Sequence, residues 1–469
     1  MSASAATAPR HAWREAGRAL REAMASVRGK KGLHLLSVPA PVARLETLLR
    51  HLPAEDAVLF DPPSGAGAAG VGAAYTLRAE GEARFGAIAR EAREITAGVR
   101  CLGLLGASAL RPRFFGGFAF APGWLDGPWD GFGDARFVLP RWTYLRRGAQ
   151  ATLSLAIHAE ADSEMGLAGW VDEGVRLISA LEADENAPPQ GIWQAPLAEL
   201  PPQEWVAWVE AARRAIADGE LQKVVLSRRT RARLPVAIES AEILERLAAE
   251  HPDCFRFAIR IGGVTFLGAP PERLVARQGE RVWADCLAGS IAAPEREGEA
   301  TRTQRALQLL SSSKDRHEHR VVVDAVRASL ARFCRTLTES TEPQVMHLRH
   351  VLHLHTPISG VLSTPVHVLE LLEALHPTPA VGGVPREGAV EFIVSHEGDA
   401  RGWYSGPVGY FDDTGDGEFA VAIRSGLVRG REAFLHAGAG IVAASDPHQE
   451  WKETAVKQRA LLRALGIGG

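Results

Sequence analysis

The sequence predicts a mixed α/β protein, because helical and strand periodicities both occur along its 469 residues. In EWVAWVEAARRAIADGEL, Trp205, Val209, Ala212 and Ile216 recur at the spacing of one helix face, and Gly219 stands where a helix terminator is expected. In KVVLSRRTRARL the β-branched residues alternate, which marks a strand with Lys223, Val225 and Ser227 on one face and Val224, Leu226 and Arg228 on the other. The composition, 46% hydrophobic and 23% charged, is that of a globular chain with a large core and excludes disorder, collagen and coiled coil.

Taken in order, the first twenty residues are rich in Ala and Arg. Glu15 and Glu22 and the lack of an apolar centre favour an amphipathic first helix over a targeting segment. Up to about residue 182 the chain is uneven, with small residues from Gly65 to Ala74 and an aromatic run from Arg113 to Phe132 that Gly and Pro interrupt too often for a helix. The stretch Ala183 to Gln203 concentrates Pro and polar residues, so the main boundary falls there, between an N-terminal part, 1–190, and a region 200–469. After the Lys223 strand, CFRFAIRIGG and VTFLGAPPERLVAR predict two strands with Gly262-Gly263 in the turn. From Lys314 a helix carries Val322, Val326 and Leu330 in a stripe, with Glu318 one turn earlier.

HLHTPISG reads as a strand running into a functional loop, which singles out His353. GEFAVAIRSGLV reads as one strand that presents Arg424 on its small-residue face, where a charge requires an anionic partner. Gly438 and Gly440 would let a ligand approach the backbone amides. Asp446-Pro447-His448-Gln449 is a helix start, and the helix it opens places Glu450, Glu453 and Lys457 on one face.

With 53 Lys+Arg against 56 Asp+Glu the net charge is −3, which argues against nucleic acid as a bulk electrostatic partner. No apolar run approaches the ~20 residues that span a bilayer. Cys101, Cys254, Cys286 and Cys334 form no CxxC pair, so no disulfide framework and a cytoplasmic location are expected. Six histidines fall between His317 and His355 but make none of the zinc-binding spacings, so surface or hydrogen-bonded roles are the default. Glu318, Glu450 and Glu453 are either solvated helix faces or oxygen ligands for a hard cation such as Mg2+. Lys223 either snorkels at a sheet edge or is a desolvated general base. Glu272 is either a plain turn residue or a positioned acid.

These motifs add up to a family. KVVLSRR at 223, FLGAPPERL at 266, CLAGSIAAP at 286, SSKDRHEH at 312, LHLHTPISG at 352, LHPTPAVGGVP at 375, RGWYSGPVGYFD at 401, FAVAIRS at 419 and HAGAGIVAASDPHQEWKET at 436 resemble the chorismate-utilising enzymes, the anthranilate synthase component I-like family, in their order. The resemblance spans Leu200 to Leu465 and is nearest to the isochorismate-forming branch. It implies large antiparallel β-sheets packed face to face with helices outside, in a single large unit that residues 1–190 would complete.

It also implies roles. Lys223 is the general base and Glu272 the general acid; Glu318 and Glu453 ligate Mg2+, with Glu450 assisting through a water. Arg424, Lys457 and the amides around Gly438 and Gly440 bind carboxylates, and Ser290 and His353 line the site. Ammonia-using relatives usually carry Gln in place of Lys223, so water is the expected nucleophile, and a monomer without a glutaminase subunit is expected. Leu287-Ala288-Gly289-Ser290 lacks the lysine of the aminodeoxychorismate branch. Ala380 stands where the salicylate branch tends to have Thr, so isochorismate rather than salicylate is the expected product, feeding menaquinone, siderophore or salicylate biosynthesis. A salicylate synthase and a non-catalytic chorismate-binding regulator are the alternatives. For acid and base to work near neutral pH, burial should push the Lys223 and Glu272 pKa values towards each other. Pro271 and Gly382 depart from the family pattern, the first stiffening the Glu272 loop and the second leaving room near the substrate.

Overall fold

The computed structural model describes residues 12–468 except 28–29, 53–54, 159–163, 185–190 and 294–297. The first eleven residues of the N-terminal segment and the middle of the Pro-rich stretch lie outside the described residues. Among the described residues, eleven helices surround one hydrogen-bonded network of 21 strands, in which every strand pairing is antiparallel except that of Leu33–Pro39 with Arg100–Gly103.

The network is a strip that returns on itself. It starts at the strand Lys223–Arg233 and passes through Glu432–Ile441, Ser425–Arg429, Val264–Gly268, Arg256–Ile261, Ala57–Asp61 and Gly67–Ala79 to the long strand Ala135–Arg147. It continues through Arg113–Phe118, Pro407–Asp412, Gly417–Val421, Arg273–Gln278 and Arg281–Ala292 to Val351–Leu362. Both ends of the strip supply residues to one cleft, Val225, Gly438 and Gly440 from the first end and Ala288, Ser290 and His353 from the last. The sheet faces therefore close on each other there, the packing expected from the resemblance.

The local causes are those the sequence carries. The hairpin joining Arg256–Ile261 to Val264–Gly268 closes through Gly262 and Gly263 at φ of 54° and 81°, the two positive values a tight two-residue turn demands. The helix Pro202–Ala217 buries Trp205, Val209 and Ala212 against Val224, Leu226 and Ile441, with Ile216 at the margin.

Two expected elements differ. GEFAVAIRSGLV is not one strand: pairing stops at Val421 and resumes at Ser425, and Arg424 lies in the break at φ 53°, where alternation no longer applies. HLHTPISG does not leave the sheet; it lies wholly inside the strand Val351–Leu362. Pro357 is tolerated because one edge of that strand is covered by two separate strands, ending at the Glu339–Ile358 pair and resuming at Gln344–His355, so the missing N–H falls in the gap.

Residues on both sides of the Pro-rich stretch share strands and core. Ala57–Asp61 pairs with Arg256–Ile261, and Arg113–Phe118 with Pro407–Asp412. One apolar cluster joins Leu36, Trp142 and Leu155 to Ala258, Leu267, Leu435 and Leu461. The pieces of the stretch that are described are themselves built in, since Leu197–Glu199 pairs with the Lys223–Arg233 strand and Trp193 bridges to Ile467. Residues 200–469 expressed alone would bare two strand edges and this core. We expect the fragment to aggregate and to show no cooperative thermal transition, against a single sharp transition for the full chain; circular dichroism melts with size-exclusion chromatography check this.

Candidate active site

Three local devices aim side chains into the cleft. The helix Pro447–Ala464 is capped by Asp446, whose Oδ1 accepts from Gln449 N at 2.9 Å, and its first carbonyl, at Pro447, accepts from Trp205 Nε1 at 3.0 Å. This fixes the face that carries Glu450, Glu453 and Lys457. Opposite, the helix Ser313–Ala331 is capped by Ser312, which accepts from Asp315 N, and its buried Val322, Val323 and Val326 orient Glu318. Third, the ladder between Arg281–Ala292 and Val351–Leu362 skips Gly289, a bulge at φ 73° after which Ser290 resumes the pairing. Ser290 Oγ then donates to Glu453 Oε1 at 3.2 Å.

Eleven of the twelve singled-out residues line this one cleft: Glu272, Ser290, Glu318, His353, Ala380, Arg424, Gly438, Gly440, Glu450, Glu453 and Lys457. The twelfth, Lys223, is buried behind the lining, with Nζ 2.9 Å from Glu318 Oε1. Gly440 makes that contact sterically possible, because a Cβ there would come within 2.6 Å of Glu318 Oε1 and 3.0 Å of Lys223 Cε. Pro271 lines the cleft beside Glu272, and a Cβ on Gly382 would meet Pro377 rather than open space.

The electrostatics separate the groups. Glu272 is pushed up to about 8 by burial and then by the Asp285 charge, against the pull of Lys223 and Arg424. His353 is held down to about 3 by burial and by Arg424 and Lys457, so it stays neutral and its Nε2 accepts from Arg424 Nη2 at 3.3 Å. Burial raises Glu450, and the neighbouring Glu453 charge adds to it, with Lys314 opposing. Burial would raise Glu453 too, but Lys457, 2.6 Å away, and Ser290 outweigh it and its pKa is lowered.

The acidic donor set bears on a metal. Each carboxylate is met by an ammonium: Glu318 by Lys223, Glu450 by Lys314 at 3.3 Å and Glu453 by Lys457. Among the described residues no group of three or more His, Cys, Asp or Glu side chains is gathered as a ready metal centre. Two or three carboxylates with no nitrogen or sulfur ligand fit Mg2+, which takes oxygen donors and keeps waters that a substrate oxygen can replace.

Sequence reasoning passed over three charged residues of the site. Lys314 and Asp315 line the cleft beside Glu318, and membership of the KDRHEH run was their signal. Asp285 raises Glu272 while held by His355 Nε2 at 2.9 Å and Arg273 Nη1 at 3.4 Å; its signal was a carboxylate flanked by buried Ala284 and Cys286 in a strand. Of the remaining histidines, His319 is buried with Nε2 2.8 Å from Thr356 Oγ1, and His350 accepts from Arg463.

With this geometry in hand, comparison with known proteins is specific. The sequence profile described as chorismate binding enzyme matches residues 22–466. The chain is similar to the salicylate biosynthesis isochorismate synthase of Pseudomonas aeruginosa, 38% identical over 403 residues that cover 85% of this chain and 83% of that protein. It is 44% identical to isochorismate synthase DhbC of Bacillus subtilis over 274 residues, 57% of this chain and 68% of that one. Among solved structures, the menaquinone-specific isochorismate synthase MenF of Escherichia coli superposes with a TM-score of 0.78 at 28% identity, covering 96% of this chain and 99% of that one. Anthranilate synthase component I of Streptococcus pneumoniae, at 21% identity and a TM-score of 0.65 over 87% of this chain and 92% of that one, shares the fold.

The Glu272 shift has a consequence for stability. The folded chain keeps this carboxyl protonated up to about pH 8, whereas an unfolded carboxyl ionises near 4.5, so the folded state binds more protons between those values and stability falls as pH rises through that window. Glu272→Gln removes the ionisable group. The variant is expected to gain stability relative to the parent between about pH 5 and pH 8, by a few kcal/mol at most, and to match it below pH 4.5. Melting temperatures of both proteins across this range test it, and parallel curves would refute the shift.

Proposed function

The chain belongs to the chorismate-binding enzymes, and from that premise we propose that it is an Mg2+-dependent isochorismate synthase, an isomerase that adds water at C2 of chorismate while the C4 hydroxyl leaves. One observation carries the reading: Glu272, buried on the cleft wall and raised to about 8, is a proton donor at neutral pH, and it shares the cleft with two cations and a buried lysine at its margin.

The displacement needs a proton removed from water and a proton delivered to the departing hydroxyl. Lys223, whose contact with Glu318 is the resting ion pair, takes the first in its neutral amine form, Glu272 gives the second, and one water is consumed as one is released. Chorismate is a dianion, and Arg424 and Lys457 offer it two positive groups from the break before Ser425 and from the Pro447–Ala464 helix. Neutral His353 receives Arg424 without adding charge, which keeps the guanidinium aimed at a carboxylate. Glu318 and Glu453 are the residues that would hold Mg2+, with Glu450 assisting through a water. The ion when bound would stabilise negative charge on the ring carboxylate.

Ala380 bears on the product. Its methyl on the cleft wall can neither donate nor accept a hydrogen bond, which supports release of isochorismate over onward elimination of pyruvate to give salicylate. With water as nucleophile, the chain has no use for a subunit that delivers ammonia.

Purified protein given chorismate and Mg2+, with products separated by chromatography, is expected to yield isochorismate alone and to lose activity in EDTA. Salicylate with equimolar pyruvate would move the assignment to the salicylate branch, and activity untouched by chelation would remove the metal. Lys223→Ala is expected to lower kcat by roughly 10^2- to 10^4-fold, the usual worth of a general base; unchanged turnover would sink that role.

A further inference from the structure

The strand that begins with Lys223 has an incomplete outer edge. Along its inner edge it pairs continuously with Glu432–Ile441. On the other edge, among the described residues, it meets only Gly383–Val384 at its start, Val225 N reaching Gly382 O at 2.7 Å, and Leu197–Glu199 at Thr230–Ala232. Between these two short neighbours the Val225 carbonyl and the Ser227 amide point at no strand. Two side chains take the place of the missing one. Arg401 Nη2 donates to Val225 O at 2.7 Å, and Glu397 accepts from Ser227 N at 2.7 Å and from Ser227 Oγ at 3.0 Å.

Arg401 and Glu397 are bound to each other as well, through Arg401 Nε to Glu397 Oε2 at 2.9 Å. Arg401 is fully buried, with its guanidinium 4.4 Å from the Phe120 ring centre, and Glu397 is 6% exposed. Its other arm, Nη1, donates to Val381 O at 2.9 Å. One guanidinium therefore holds two carbonyls: one two residues beyond Lys223, the other next to Ala380 on the cleft wall.

Burying an ion pair this deeply is costly, and apolar side chains could fill the space without that cost. A paired acid and base offers an acceptor to a strand amide and donors to two carbonyls together, which apolar side chains cannot. We propose that Glu397 and Arg401 are positioning residues for the reaction, a side-chain substitute for a strand that locks the Lys223 strand and the Ala380 wall in one spacing. This rests on the functional reading of Lys223 given above. Neither residue lines the cleft or touches substrate; each acts through the backbone that carries Lys223 and Ala380.

The test uses Arg401→Lys, which keeps the charge but loses the fork, and Glu397→Gln, which keeps the shape but loses the charge. Per folded molecule, kcat for chorismate is expected to fall roughly 10- to 100-fold in each, as small misplacements of a reacting group do, while KM moves by less than about threefold because the carboxylate-binding groups are untouched. Hydrogen exchange of the peptide spanning residues 223–229 is expected to quicken in both. A residue that only supports the fold would lower the melting temperature and leave kcat per folded molecule unchanged, and that result overturns the proposal. Should Arg401→Lys fail to fold, Glu397→Gln decides. Should the parent protein itself leave chorismate unconverted, the functional reading falls, and the exchange measurement alone decides whether the clamp exists: unchanged exchange would dismiss it.

Discussion

Lys223 and Glu318 sit on different elements, a strand at one end of the sheet strip and a helix packed over the other end, and their 2.9 Å contact ties the two across the cleft. Lys223 has no bulk water to stabilise its charge, being 2% exposed, whereas the Glu318 side chain keeps 15% of its surface at the cleft. A buried ammonium must find an anion, and this one finds it on the helix that brings Lys314 and Asp315 to the same opening. The backbone of the cleft is consequently arranged around a charge pair and not around an apolar contact. The Gly440 position, the capped start of the Ser313–Ala331 helix and the edge clamp beside Val225 all serve to keep that geometry open.

The same principle orders the other groups by charge. Negative side chains on the Pro447–Ala464 helix are each answered by a lysine, Glu450 by Lys314 and Glu453 by Lys457, while Arg424 faces the cleft with its guanidinium on neutral His353. Asp285 is the counterexample that makes the chemistry work. It is a carboxylate placed so that a second carboxylate, Glu272, is disfavoured as an anion. Its own charge is anchored by His355 and Arg273, the latter also gripping Glu418 at 2.8 Å, so the repulsion is directed at Glu272 and not relieved by movement of Asp285.

Local patterns in the sequence revealed most of this, and where they failed the reason is tertiary. The Pro447–Ala464 helix was legible because its cap, its proline and its charged face all lie within a dozen positions. The Lys223 strand was legible by alternation. Arg424 stands out as an anomaly but in the wrong conformation, because alternation counts residues and cannot register that three of them leave the sheet, the last, Arg424, at a positive φ. The strand around Pro357 was misread for the converse reason: a proline looks like an ending unless one knows that its edge faces a gap between two neighbours. Asp285 offers the sequence no more than a carboxylate between apolar residues, and the Glu397–Arg401 pair no more than a spacing of four; what defines them is which backbone atoms and carboxylates the rest of the chain brings within reach. The continuity of the unit across the Pro-rich stretch was likewise invisible to composition, which sees a linker where the structure has a short paired strand and a shared core.

The tightness around Gly440 has an evolutionary reading. A methyl there would press on a Glu318 carboxylate oxygen at 2.6 Å and on Lys223 Cε at 3.0 Å, both on flexible side chains that have to shift to admit it. An alanine at 440 would therefore be felt first as a displaced Lys223–Glu318 pair, and its effect would depend on what stands at 223 and 318. Three positions far apart in the sequence thus form one epistatic unit, in which the consequence of a change at one is set by the residues at the other two.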